Sequence, residues 1–85
     1  MTKDEVRAQV LQALGEVAPE LDPARVRGDV PFREQLDIDS MDFLRFLVDV
    51  DRRLQVSIPE ADYALLETLD DVVEYVLRAR GRVGN

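Results

Sequence analysis

The chain has 85 residues, enough for one small domain, and we expect residues 1–85 to fold around one core. It contains no cysteine or histidine, which excludes disulfides, thiolate nucleophiles and the usual general base near neutral pH. We therefore expect a protein that is not itself an enzyme. The net charge is −7, and between Glu34 and Glu74 there are 12 acidic residues but only three arginines. This charge disfavours nucleic acid as a partner and favours basic protein surfaces.

The N-terminal segment, Met1 to Glu5, is charged and lacks the apolar core of a signal peptide. No apolar run in the sequence approaches the roughly 20 residues that a membrane-spanning helix needs. We therefore expect a soluble, cytoplasmic protein with no membrane span.

The first predicted helix has a signal at each end. Thr2 and Glu5 form the capping-box pattern Thr-x-x-Glu, in which each side chain accepts a free backbone N–H of the helix start. Gly15, followed by Pro19, marks the expected end. Apolar residues recur at helical spacing in this segment, at Val6, Val10, Leu14 and Val17.

The segment from Ala18 to Asp39 contains three prolines and Gly28, and no long helical period survives in it. A connection of about 20 residues is unusual in a compact domain and tends to be functional or ordered by its own side chains. We expect a packed loop with a short helical turn around Asp22 to Val26, rather than a flexible linker. The apolar residues available to anchor it are Leu21, Val26, Val30, Phe32 and Leu36.

Ser40 occupies the first position of the second predicted helix. Asp39 before it is a typical N-cap, because its side-chain oxygen can accept a free N–H two or three residues later. Ile38 and Phe43 are spaced for a hydrophobic staple across this cap. Asp42 adds negative charge to the first turn, where the helix dipole favours it. The Ser40 hydroxyl therefore lies at a helix N-terminus, where an attached anion would be stabilised.

The second helix is predicted from Ser40 to about Gln55, and Pro59 prevents its continuation. Glu60 to Leu66 suits a short third helix of about two turns. Thr68 caps a fourth helix, which Gly81 ends. The residues expected to face inward are Phe43, Leu44, Phe46, Leu47, Val50 and Leu54 on the second helix, and Leu69, Val72, Val73, Val76 and Leu77 on the fourth. With no strand pattern, we predict an all-α fold: a small four-helix bundle with three longer helices, one short third helix and a long first loop.

Asp39-Ser40-Met41 resembles the Asp-Ser-Leu signature of acyl carrier proteins, whose serine carries 4′-phosphopantetheine. Residues 29–36 resemble the end of that family's long first loop, and residues 58–76 resemble its third and fourth helices, so the likeness covers nearly all of the chain. It implies a four-helix bundle of acyl-carrier type. A phosphopantetheinyl transferase would attach the cofactor from coenzyme A to Ser40, with Asp39 and Met41 beside it. Acyl groups would then be held as thioesters and exchanged with ligases, synthases or acyltransferases in fatty-acid, polyketide or related lipid biosynthesis.

The resemblance also implies a docking face for these enzymes on the second helix and the loop before it. The residues expected there are Asp37, Met41, Asp42, Val48 and Asp49, with Arg45 and Arg52 among them. General fatty-acid carriers usually have acids along the exposed side of this helix, and Arg45 and Arg52 occupy two such positions. We therefore expect a free-standing, monomeric and specialised bacterial carrier that serves dedicated partner enzymes.

Two other functions stay open on the residues alone. A peptidyl or aminoacyl carrier would share the fold and the serine, but that branch usually has Gly-Gly where Asp37-Ile38 stand here, which disfavours it. The second alternative is a helical adaptor that binds a partner through its acidic helix and carries no cofactor. Asp37-x-Asp39 also invites comparison with a calcium loop. That pattern fails at Met41, where a third oxygen ligand is needed, so we expect no metal site.

Overall fold

Three helices of 15 residues each form the body of the protein. The computed structural model describes residues 1–83, so residues 84 and 85 of the expected domain lie outside the described part. Within residues 1–83 there is no strand, which confirms the all-α prediction. In chain order the elements are helix α1 (Lys3–Val17), a 3-10 helix (Pro23–Arg25), the short helix α2 (Phe32–Gln35), helix α3 (Ser40–Leu54), a second 3-10 helix (Glu60–Leu65) and helix α4 (Leu69–Val83).

Helix α1 begins at the predicted capping box. The Thr2 hydroxyl accepts the Glu5 N–H at 3.2 Å, and the Glu5 carboxylate accepts the Thr2 N–H at 2.8 Å. Donation from the Thr2 backbone N–H to the carboxylate, aided by the Thr2 hydroxyl, favours the charged form and lowers the pKa of Glu5 below its ordinary value. The helix ends between Gly15 and Pro19, as predicted: α1 continues through Gly15 to Val17 and closes with a hydrogen bond from the Ala18 N–H to the Leu14 carbonyl. An isolated glycine weakens a helix without ending it.

The core lies between α1 and the other two long helices, since α1 packs against both α3 and α4. Its buried side chains are all apolar among the described residues. Arg53 joins α1 to α3 at the surface, donating to Gln12 at 3.1 Å, Glu16 at 3.2 Å and Asp49 at 2.9 Å. The largest fully buried side chains are Phe32, Phe46, Leu14, Leu47, Leu54, Leu66 and Leu69.

The long first connection is an ordered loop, as predicted. Its 3-10 helix lies within the expected range and is capped by Asp22, whose carboxylate accepts the Ala24 N–H at 3.0 Å. Helix α2 was not predicted. Its last residue, Gln35, organises the loop around it by accepting the Arg27 N–H at 2.9 Å and donating to the carbonyls of Arg27 and Val30 at 2.7 and 2.9 Å. The loop is therefore ordered by side-chain hydrogen bonds as well as by burial.

Helix α3 begins at Ser40 as predicted and ends at Leu54, one residue before the expected end. Gln55 adopts the left-handed conformation (φ 53°, ψ 47°) that commonly closes helices. Leu44 was expected to face inward, and that prediction is wrong, because its side chain is exposed. The other five predicted inward residues of this helix are buried or pack against the core.

The predicted third helix is a 3-10 helix, Glu60–Leu65, after which Leu66 is buried while Leu65 is exposed. Thr68 caps α4 as predicted, accepting the Asp71 N–H at 3.0 Å. Gly81 does not end this helix, which continues to Val83. The glycine signal therefore marked the end of α4 too early.

Helix α4 is tied to the rest of the fold at both ends. Near its start, the Asp70 N–H donates to the Gly28 carbonyl at 3.1 Å, and the Phe32 N–H donates to the Glu67 carbonyl at 2.8 Å. Near its other end, Arg80 donates to the Leu54 carbonyl at 2.7 Å. These three hydrogen bonds hold the first loop and the end of α3 against α4.

Gly15→Ala should stabilise the protein, because Gly15 lies inside α1 and nothing lies within 4 Å of where its Cβ would be. The expected gain is about 0.5–1 kcal/mol. The thermal midpoint should rise by a few degrees, since 1 kcal/mol corresponds to about 4–8 °C in a domain of this size.

Gly28→Ala is the contrasting variant. A Cβ there would contact the Asp70 carboxylate, with the carboxyl carbon at 2.9 Å, so Asp70 must move. Because that carboxylate is the end of an exposed side chain, it can turn away, so the midpoint should rise less than in Gly15→Ala. Thermal melts of both variants measure the difference, and a lower midpoint for Gly15→Ala would show that α1 does not extend past that residue in solution.

Candidate functional site

The start of α3 is fixed by a capping box. Asp39 is extended (φ −94°, ψ −178°), and its carboxylate accepts the Asp42 N–H at 2.8 Å. The Asp42 carboxylate accepts the Asp39 N–H in return, at 3.5 Å. The Phe43 N–H donates to the Asp39 carbonyl at 2.9 Å, which is the first backbone hydrogen bond of the helix. The predicted N-cap is confirmed.

Ser40 is the first residue of α3, and its side chain is exposed. The cap uses the Asp42 N–H, so the N–H groups of Ser40 and Met41 have no acceptor within the part of the chain that the structure describes. Both N–H groups lie at the positive end of the helix dipole. This arrangement favours an anionic group next to the Ser40 hydroxyl.

An open cleft with a volume of about 830 Å³ lies beside Ser40. Ser40 and Asp39 form part of its polar edge, together with the exposed side chains of Arg33, Glu34 and Glu67. The cleft therefore combines a polar edge at the serine with an apolar wall. That wall consists of Phe32, Ile38, Phe43, Tyr63, Ala64 and Leu66.

Three phenylalanines support this wall. Phe32 meets Phe46 edge to face, with ring centroids 5.4 Å apart and an interplanar angle of 73°. Phe43 lies 6.0 Å from each of the other two rings. Such tilted and edge-to-face pairs add about 0.5–1.5 kcal/mol each beyond the area that they bury. The cluster fixes α2 against α3 and so shapes the cleft.

The cleft was not predicted from the sequence. Phe32 was expected only to anchor the loop, and Tyr63 and Leu66 only to lie within the short third helix. The wall is assembled from α2, α3 and the 3-10 helix Glu60–Leu65, which lie far apart in the sequence. No local pattern in the chain carries that information.

The residues expected to form a docking face differ in accessibility. Met41 and Val48 are 61% and 53% exposed, and Asp37, Arg45 and Arg52 are also exposed. Asp42 is half-buried at the cap. The Asp49 side chain is only 15% exposed, because it lies against Arg52 and Arg53. The two arginines are therefore more accessible than the acids next to them on the helix.

Two further properties bear on the function. None of the helices within residues 1–83 is long and apolar enough to cross a membrane. The same residues contain no group of three or more histidine, cysteine or acidic side chains placed to hold a metal ion.

Comparisons with known proteins agree with this geometry. The sequence profile of the family described as "Phosphopantetheine attachment site" matches residues 5–76. The acyl carrier protein of Rhodococcus erythropolis (strain PR4) is 34% identical over 82 residues, which cover 94% of this chain and 89% of that protein. The meromycolate extension acyl carrier protein of Mycobacterium leprae is 32% identical over 76 residues, covering 89% of this chain and 65% of that protein.

A solved structure of the acyl carrier protein from Enterococcus faecalis matches the fold with a TM-score of 0.71 at 18% identity, covering 93% of this chain and 99% of that one. This likeness concerns the fold alone. The profile match and the curated relatives place the sequence in a known family. The chain belongs to the acyl carrier proteins, which bind phosphopantetheine. Its function is to carry acyl groups, and its cofactor is 4′-phosphopantetheine.

The cap of α3 can be tested against an equivalent cap elsewhere in the molecule. Asp39→Ala removes the acceptor of the Asp42 N–H and should lower the free energy of unfolding by about 1 kcal/mol. Thr2→Ala removes the cap of α1 and should cost a similar amount. Hydrogen exchange at the amides of Asp42 and Phe43, which donate to Asp39, should accelerate in the first variant and not in the second. Equal exchange in both would show that Asp39 does not hold the start of α3.

Proposed function

We propose that Ser40 is the residue to which 4′-phosphopantetheine is attached. The observation that carries this proposal is an exposed serine at the first position of a capped 15-residue helix, beside an apolar cleft. Ser40 also lies within the residues that the family profile matches. Ser57 is the only other serine, and it lies in a loop, outside any helix start.

The residues around Ser40 fit an attached phosphodiester. The unpaired N–H groups of Ser40 and Met41 and the dipole of α3 stabilise its negative charge. Asp39 fixes the helix start and thereby the position of the serine hydroxyl. During loading, the Ser40 oxygen forms the new bond to phosphorus, 3′,5′-adenosine bisphosphate leaves coenzyme A, and the hydroxyl proton passes to the transferase. The cofactor supplies the thiol that this cysteine-free chain lacks.

The cleft gives the attached group an apolar surface within the same site. Phe32, Phe43 and Tyr63 line it next to Ser40. An acyl chain that leaves solvent gains about 0.8 kcal/mol for each buried CH₂ group. We propose that this wall receives part of the arm or of the acyl chain that it carries.

The remaining features describe the carrier as a whole. We propose that it is a monomeric protein of the cytoplasm, that it is not an enzyme, and that it is specialised for dedicated partners. The absence of cysteine and histidine supports a non-catalytic role. The partner classes are a phosphopantetheinyl transferase and the ligases, synthases or acyltransferases that load and use the acyl group.

Ser40→Ala and Ser57→Ala form a matched pair of variants that tests the attachment site. Incubation with coenzyme A and a broad-specificity phosphopantetheinyl transferase should add one phosphopantetheinyl group to the original protein and to Ser57→Ala. Ser40→Ala should gain none. Intact-mass spectrometry reads the result, and circular dichroism checks that each variant is folded. Loading of Ser40→Ala, or a modified peptide that contains Ser57, would contradict the assignment.

A further inference from the structure

The exposed surface of α3 carries no acid, although the protein has a net charge of −7. The exposed side chains of this helix are Ser40 and a group that we call the α3 stripe: Met41, Leu44, Arg45, Val48 and Arg52. Four members of the stripe follow the spacing i, i+4, i+7 and i+11, which places them on one side of a helix. Along that side, apolar and cationic side chains alternate.

Two of the three acids of α3 are turned toward the backbone. The Asp42 carboxylate faces the Asp39 N–H in the capping box. The Asp51 carboxylate accepts the Ile58 N–H at 3.1 Å, beyond the end of the helix. Both side chains are half-buried, so neither presents a free carboxylate along the stripe.

The third acid, Asp49, is paired with arginines. Arg52 approaches it at 3.3 Å and Arg53 at 2.9 Å, and Arg53 also pairs with Glu16 at 3.2 Å. Arg45 makes no ion pair with any residue in the described part of the chain. The three arginines of α3 balance its three aspartates, so the helix has no net charge, but its exposed charged side chains are both arginines, Arg45 and Arg52. The Arg52 side chain remains 81% exposed despite its pairing.

We propose that the α3 stripe docks a partner protein whose surface is an apolar groove bordered by carboxylates. The partner's apolar groups would cover Met41, Leu44 and Val48, and its carboxylates would meet Arg45 and Arg52. This proposal rests on the proposed attachment at Ser40, because the stripe begins next to that serine and a docked enzyme would receive the arm there. It differs from an expectation based on total charge, which would favour a basic partner.

Charge complementarity is the argument for this occupant. Arginine binds carboxylates in two-pronged pairs, and like charges placed opposite each other at an interface are repelled by several kcal/mol. A basic partner surface would face two exposed guanidinium groups and no exposed carboxylate on α3. Exposed acids do lie near the stripe, at Asp37 and Asp39, but they precede the helix and border Ser40.

Two synthetic peptides provide the probe. Each is an amphipathic helix of about 18 residues with leucines along one face, and it is long enough to be helical alone. One peptide has glutamates next to the leucines, and the other has lysines at the same positions. Amide NMR shifts of the loaded protein are followed during titration at low salt. Binding of the glutamate peptide should change the amide NMR shifts of α3 between Met41 and Arg52. The lysine peptide should instead bind to other parts of this acidic protein.

Three double variants test whether Arg45 and Arg52 are responsible for binding of the glutamate peptide. Arg45→Gln with Arg52→Gln should weaken binding of the glutamate peptide at least tenfold. Arg25→Gln with Arg78→Gln changes the net charge equally, at exposed arginines outside α3, and should leave binding unchanged. Arg45→Lys with Arg52→Lys should restore most of the affinity. Raising the salt from 0.01 M to 0.15 M shortens the Debye length from about 30 to about 8 Å and should weaken binding further.

The outcomes separate this inference from the attachment proposal. Loading of Ser40 is measured by mass before each titration. If Ser40 is loaded but the glutamate peptide does not shift α3, or if the Arg45/Arg52 glutamine variant binds it equally well, the docking proposal is overturned and the attachment stands. Stronger binding of the lysine peptide, or of phosphatidylglycerol vesicles, at the α3 stripe would also overturn it. If Ser40 is not loaded, the attachment proposal fails whatever the peptide does.

Discussion

Burial of Phe32 is the interaction on which the arrangement of the site depends. This ring lies against Phe46 and Phe43, and its backbone N–H donates to the Glu67 carbonyl, just before α4. One residue therefore joins the first loop, α3 and the start of α4. The protein has no disulfide to do this, so apolar contact must hold the loop. Without Phe32, the cleft beside Ser40 would lose one wall and α2 would lose its main contact with the core.

Features set by neighbouring residues could be predicted from the sequence, and features set by distant contacts could not. The caps at Thr2, Asp39 and Thr68 were predicted because capping needs only residues two or three positions apart. Helix α2 carried no such signal. It has four residues and no side-chain cap, and it exists because Phe32 is buried. The end predicted at Gly81 was wrong for a related reason: packing of α4 outweighs the modest helix cost of glycine.

The charge of the exposed surface was also not predictable from the sequence. The acids between Glu34 and Glu74 suggested a negative docking face, but a sequence count does not show where each carboxylate points. Asp51 accepts a backbone N–H seven residues later, at Ile58, and Asp49 is covered by the arginine that also reaches α1. The carboxylates of α3 are thus engaged in contacts within the fold, whereas Arg45 and Arg52 stay exposed. The total charge of a small protein can have the opposite sign to the charge of the surface that it offers a partner.

The two kinds of element around the cleft have different mechanical properties. Phe43 belongs to a long capped helix, whereas Phe32 lies on a four-residue helix and Tyr63 on a 3-10 helix, neither of which has a side-chain cap. Short uncapped elements open locally at a much lower free-energy cost than the whole domain unfolds. The two short elements therefore depend on contacts with the rest of the fold, above all the burial of Phe32, whereas α3 is held by its own cap as well. The apolar wall of the cleft is thus maintained by tertiary packing more than by the local stability of the segments that form it.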